Sequence, residues 1–205
     1  MSARSRALSP SRLGFLEGMV ALALVGVVAL VTLPWLFATL NRARLSRSAS
    51  ETREMLELAR LQARKLGMRT HVVWDAGRKR LVAFVDVDLD GSFDPARDYP
   101  AGPAFELPDP IELRGPGDPG PLGPHALEGF EPATQEAARG AVFLADGTPW
   151  RTGAFRFADP RGNILEVRVP AAGETTAIIR KWSGGADVDE NWQVGGDGGR
   201  SWRWD

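Results

Sequence analysis

The stretch RLGFLEGMVALALVGVVALVTLP, Arg12 to Pro34, carries one acid, Glu17, at the mouth of an otherwise apolar run. From Gly18 to Leu40 no residue is charged, and those 23 residues make about 35 Å of helix against a hydrocarbon core of about 30 Å. A cleaved secretory signal has a shorter apolar region, roughly 7–15 residues, and a small-residue cleavage site after it. WLFATLNRAR, Trp35 to Arg44, offers no such site. The expectation is a retained membrane helix. Arg4, Arg6 and Arg12 precede it and Arg42, Arg44 and Arg47 follow it, so the positive-inside count does not orient it.

Helical character continues beyond the run. Leu45, Ala49, Thr52, Leu56, Ala59, Ala63 and Leu66 step by four and three along the chain, which is one apolar stripe on a helix. Arg53 and Glu57 form an i,i+4 pair beside it, and Gly67 is a C-terminal stop. Too few heptads are present for a free coiled coil, so the stripe is expected to pack on the protein's own sheet. Pro34 removes one backbone donor and predicts a kink. Residues 15–67 thus read as one long helix bent near Pro34, membrane-spanning to about residue 40 and amphipathic after it.

At Gly67 the period changes to two. RTHVVWD, KRLVAFVDVD, GAVFLAD, GAFRFAD, NILEVRV and TTAIIRKW are short, β-branched and aromatic, with Gly, Pro or Asp at their ends, as strands are. DPRGN, Asp159 to Asn163, reads as a hairpin turn. No further helix alternates with them, so the sheet is expected to be antiparallel. The expected fold class is α+β: the long bent helix packed on an antiparallel β-sheet or two-sheet sandwich head over residues 68–182. Residues 100–140 hold nine of the fifteen prolines and read as a surface insertion with one short strand, Ile111 to Arg114. Residues 183–205 form a Gly/Trp-rich tail, and residues 1–14 a basic leader.

The net charge is −1, but the stem from Arg42 to Gly67 is basic and everything after it acidic. An acidic head argues against nucleic acid as a partner. Arg200, Trp202, Arg203 and Trp204 alternate as a base-stacking patch would, yet Asp187, Asp189, Glu190, Asp197 and Asp205 outnumber the bases in that tail. No cysteine is present, which excludes disulfides and thiolate metal sites. The two histidines, His71 and His125, are far apart, and no HExxH, G-x-S-x-G or P-loop occurs. The expectation is a protein that is not an enzyme and requires no cofactor.

The layout as a whole is a basic leader, Glu17, Gly26, Pro34, an amphipathic stem and a β-rich head. It resembles the class III signal and body of type IV pilins and type II secretion pseudopilins. EGMVALALVGVVALVTLP matches that family at its glutamate, Met-Val, glycine and proline. LELARLQARKLGMRTHVVW, AFVDVDLDGSFDPARD and AVFLADGTPWRTGAFRFADPRGNILEVRV look like the GspH/FimT-type (FimU-like) minor pseudopilins and minor pilins. The resemblance implies cleavage by a prepilin peptidase between Gly14 and Phe15, a bacterial inner-membrane protein with a periplasmic head, and later a place in a pilus or pseudopilus. It also implies other pilin-like subunits and the inner-membrane assembly machinery as partners, and Glu17 as the assembly residue. A carboxylate in low dielectric is costly unless paired, and a neighbouring subunit's new N-terminal amine would pair with it. An interfacial glutamate reaching into headgroups is the alternative. The family spaces these residues G-F-x-x-x-E. Here Gly14, Phe15, Leu16 and Glu17 give G-F-x-E, which makes Glu17 the third mature residue and shifts its carboxylate by roughly 3 Å. A membrane-stalked binding module outside any fibre is the second function class.

Asp86, Asp88, Asp90, Gly91 and Asp94 spell D-x-D-x-D-G-x-x-D, the first half of a calcium loop. Arg97 stands where an EF-hand has its bidentate glutamate, with Asp98 next, and the flanks read as strand. The segment is therefore either a hairpin loop collecting Asp86, Asp88, Asp90, Asp94 and Asp98 around Ca²⁺ or an acid-rich turn without an ion. Alternation places Asp86, Asp88 and Asp90 on one side of an extended stretch.

Overall fold

The computed structural model describes residues 10–130, 139–171 and 177–195. Most of the basic leader, and the Arg200, Trp202, Arg203 and Trp204 alternation, lie outside the described residues. The chain divides into two compact units, residues 1–40 and 41–205.

One helix, α1 (Pro10–Leu66), runs uninterrupted through Pro34. The proline ring cannot donate to the Leu30 carbonyl, and the helix accommodates that loss. On either side, the Thr32 and Thr39 hydroxyls donate to the Val28 and Trp35 carbonyls at 2.8 and 3.0 Å. A hydroxyl that bonds its own helix needs no other partner in apolar surroundings. Within the first unit the apolar side chains face outward: Phe15, Leu22, Leu30 and Trp35 are each at least 69% exposed. The helix is long and apolar enough to cross a membrane.

In the second unit the stripe behaves as its spacing requires. Leu45, Ala49, Thr52, Leu56, Ala59 and Ala63 are buried, joined by Ser48 and Met55. The buried hydroxyls of Ser48 and Thr52 bond the carbonyls of Arg44 and Ser48. Leu66, expected on the stripe, is half-exposed, because the helix stops there. Gly67 takes φ 63° and the Met68 amide returns to the Ala63 carbonyl at 3.3 Å, the pattern of a glycine-terminated helix. The Arg53–Glu57 pair is a correction: the Glu57 carboxylate instead takes Arg60 at 3.9 Å and the amide of Ala177 at 3.0 Å. A backbone amide of the head outcompetes an exposed i,i+4 partner.

Among the described residues eleven strands follow: β1 (Thr70–Asp75), β2 (Arg80–Val85), β3 (Tyr99–Pro100), β4 (Phe105–Glu106), β5 (Glu112–Leu113), β6 (Leu127–Glu128), β7 (Gly140–Phe143), β8 (Gly153–Ala158), β9 (Ile164–Val169), β10 (Ile178–Trp182) and β11 (Trp192–Val194). They form two antiparallel sheets, ordered β3-β2-β1-β7 with β4 also on β2, and β11-β10-β9-β8-β5 with β6 also on β8. Alternation sends Val72, Leu81, Ala83 and Val85 of the first sheet inward, with Phe155, Phe157, Leu165 and Val167 of the second, and all share one core with the helix stripe. Asp159 to Asn163 makes the β8–β9 turn, with Gly162 at φ 82° and the Asp159 carboxylate accepting two of its amides.

The proline-rich segment corrects the reading of a surface insertion. Among its described residues are the two-residue strands β3 to β6 and not one strand alone, and Ile111, Leu113, Ala126, Leu127 and Phe130 are buried in the core. Proline cannot donate to a ladder, so such a segment pairs only in brief contacts at sheet edges, but its apolar side chains still reach inward.

Gly140 begins β7 where it crosses β1, and a Cβ there would run into the Val72 carbonyl. Backbone cannot yield as a side chain tip can. Gly140→Ala is expected to cost about 1–3 kcal/mol, read as a lowered denaturation midpoint with unchanged slope; a neutral effect would mean that β7 can slide.

Candidate functional site

The residues that the sequence reading marks for processing and assembly lie together at the start of α1. Gly14, Phe15 and Glu17 are helical and exposed, and a Cβ at Gly14 would meet nothing within 4 Å. The Gly14–Phe15 bond is therefore sterically open but held in helix. Pro34 lies inside the same helix.

The acidic loop gathers five aspartates and Arg97 into one hydrogen-bonded cluster. Strand β2 ends at Val85 and not at Asp88, so alternation does not carry the aspartates to one side. Asp86 still donates its amide to the Arg69 carbonyl at 2.9 Å, and then the chain turns. Leu89 and Gly91 take φ values of 65° and 76°. Gly91 thus makes the sharp turn its position in the motif implies.

The loop folds back over the outer face of the first sheet. The His71 ring stacks on Phe84, its partner in register, at 5.1 Å, and Phe93 of the loop covers Phe84 at 5.3 Å. Beneath it Asp86 and Asp98 are buried, while Asp88, Asp90 and Asp94 are not. Most of the carboxylates bond the loop's own backbone. Asp86 Oδ2 accepts the Gly91 amide at 3.2 Å, Asp98 accepts Val87 at 3.0 Å and Asp94 at 2.8 Å, Asp90 accepts Ser92, and Asp94 accepts Ala96. Arg97 reaches Asp88 at 3.0 Å and Asp94 at 3.7 Å. Its hydrogen bond holds the Asp88 carboxyl below the usual range, and Asp88 in turn raises Arg97.

Of the five predicted metal ligands, three converge. Asp86, Asp88 and Asp98 each offer an oxygen within 4.8 Å of the others. Asp90 and Asp94 fall outside that group, a correction with a plain cause: their oxygens are turned to amides two residues on.

His71 is the residue that sequence reasoning missed. Its Nε2 lies 3.0 Å from Asp86 Oδ2, both side chains at most 1% exposed, yet the contact lacks hydrogen-bond alignment. Burial lowers the His71 imidazole below its ordinary value, with Asp86 opposing. The only signal was indirect: His71 pairs Phe84, and Asp86 stands two residues beyond on the same face.

A second convergent group, His125, Glu128 and Asp187, already holds a guanidinium. Arg156 Nη1 lies 2.7 Å from Asp187 and 3.6 Å from Glu128. Arg156 belongs to a buried ion network that ties the 187–192 segment to the second sheet. No protein-family model, curated protein or solved structure matches this chain.

Proposed function

We propose that the chain is a minor pilin-like structural subunit of a type IV pilus or type II secretion pseudopilus, acting in fibre initiation or at the tip. The observation that carries the reading is the division of one continuous helix. Its first part offers apolar side chains outward, and its second part is built into the core of a two-sheet β head. A helix that only anchored a soluble domain would need no such continuity. In this reading the span holds the subunit in the bacterial inner membrane with its head in the periplasm. Prepilin peptidase opens the exposed Gly14–Phe15 bond, and the apolar span then packs among the helices of neighbouring subunits. Glu17 pairs with a neighbour's new N-terminal amine and sets the axial stagger, because an unpaired carboxylate in that environment is costly. The reading assigns no catalysis to the chain.

The test is the mass of the membrane-extracted protein and its recovery in sheared surface fibres. Cleavage of the leader after Gly14 and recovery with the fibres are expected. Glu17→Ala should leave membrane insertion and the head intact but reduce incorporation about tenfold, equivalent to about 1.4 kcal/mol of pairing. Wild-type incorporation by Glu17→Ala would rule out the pairing.

One observation favours the second reading, a membrane-stalked binding module. A cleft of about 320 Å³ is lined by Trp74, Leu107, Ile111, Leu113 and Leu122, and the buried Trp74 Nε1 has no hydrogen-bond partner among the described residues. An intact leader and absence from fibres would support that reading.

A further inference from the structure

We propose that Asp86, Asp88 and Asp98 bind a calcium ion that closes the loop between β2 and β3. The inference stands apart from fibre assembly and would hold for either reading of function.

Three carboxylate oxygens within 4.8 Å of one another repel unless a cation lies among them. The second observation is buried polarity without a partner. Asp86 is fully buried, and its Oδ1 has no hydrogen-bond partner among the described residues, whereas its Oδ2 faces His71 Nε2 at 3.0 Å. Buried polar atoms of this kind are few in folded proteins and call for an explanation such as an ion. Asp98 is also buried, and its two oxygens accept the amides of Val87 and Asp94, one each. A carboxylate oxygen has two lone pairs, so capacity for a cation remains.

Arg97 is the counter-ion the cation would displace. It reaches Asp88 from the solvent side, and its side chain is 67% exposed, so it can leave without opening the core. The donor set is hard oxygen alone, which suits Ca²⁺ and not borderline metals. Exposed Asp88 leaves room for waters to complete the larger calcium shell. Mg²⁺ demands tighter octahedral geometry and gives up its waters reluctantly. Asp86 immediately follows β2 and Asp98 immediately precedes β3, so one ion would fasten both ends of the loop that covers Phe84 with Phe93.

The experiment uses the full chain in detergent micelles, with Ca²⁺ against chelator, by calorimetric titration and thermal melting. Expected are a Kd of about 0.1–1 mM and a Tm higher by roughly 3–10 °C at about 10 mM Ca²⁺. Asp88→Asn should keep the Tm measured in chelator, since Asp88 is exposed, and weaken binding at least about tenfold. Asp90→Asn should bind as wild type does. No calcium-dependent rise, undiminished binding by Asp88→Asn, or an equal loss in Asp90→Asn would each overturn the site.

Discussion

Glu166→Ala is expected to lower the stability of the head by about 3–5 kcal/mol, the cost of leaving buried charge unpaired. Glu166 is wholly buried at the centre of β9. The register places it directly opposite Arg156 of β8 and Arg180 of β10. Its Oε2 accepts Arg156 Nε at 2.8 Å, and its Oε1 accepts Arg180 Nε and Nη2 at 2.9 and 2.6 Å. The outer nitrogens of the two guanidiniums bond Asp187 at 2.7 Å and Asp189 at 2.6 Å. Trp192 lies against both, at 4.7 and 5.6 Å, and its Nε1 donates to Asp187 at 3.0 Å. Burial acts to lower Arg180, but its hydrogen bonds to Asp189 and Glu166 prevail and raise it. The Arg180 guanidinium therefore remains charged, and alanine at 166 removes the carboxylate that it and Arg156 share. The Tm should fall by roughly 10 °C. A loss below about 1 kcal/mol would mean that water reaches the guanidiniums and that the network contributes little. Glu190→Ala, on the exposed turn beside it, should change stability by no more than about 0.5 kcal/mol.

What the sequence made legible depended on how local each signal is. The helix needs only its own spacing, so the Leu45-to-Ala63 stripe and the Gly67 stop could be read directly. Period-two patterning likewise marked β1, β2, β8 and β9. Register is not local. Nothing in ILEVRV tells that Glu166 faces two arginines, one ten residues before it and one fourteen after, and the same residue on an exposed face would read identically. The acidic loop divides along that line. Gly91's turn was visible, because glycine at that place has one conformational use. The burial of Asp86 was not, because it depends on His71 and Phe84 of two paired strands and on Phe93 folding back across them. Asp90 and Asp94 lie outside the convergent group, and each bonds the amide two residues on, a short bond that competes with distant partners.

The proline-rich segment hid the most, and Phe130→Ala measures how much. Composition alone places Phe130 on a surface loop, yet it is 2% exposed. Its ring lies 4.8 Å from Phe155 at a 50° tilt, a favourable aromatic geometry. The space it fills belongs to glycine: a Cβ at Gly153 would strike the Phe130 ring, so β8 opens with the one residue that admits it. Gly129, at φ 71°, turns the chain into this position. Arg139 fixes the backbone by donating to the Phe130 and Leu127 carbonyls at 3.0 and 3.1 Å. Removing the ring leaves a cavity between the segment and β8 that neighbouring strands, hydrogen-bonded in register, cannot collapse to fill. The expected cost is about 3–5 kcal/mol, close to that of Glu166→Ala but different in kind. Phe130→Ala leaves no stranded charge, so added salt should not change its deficit, whereas a polar cavity could take up water and soften it. Denaturant unfolding of both variants at low and high salt separates the two. A deficit below about 1 kcal/mol for Phe130→Ala would place this segment outside the cooperative core, as its prolines alone imply.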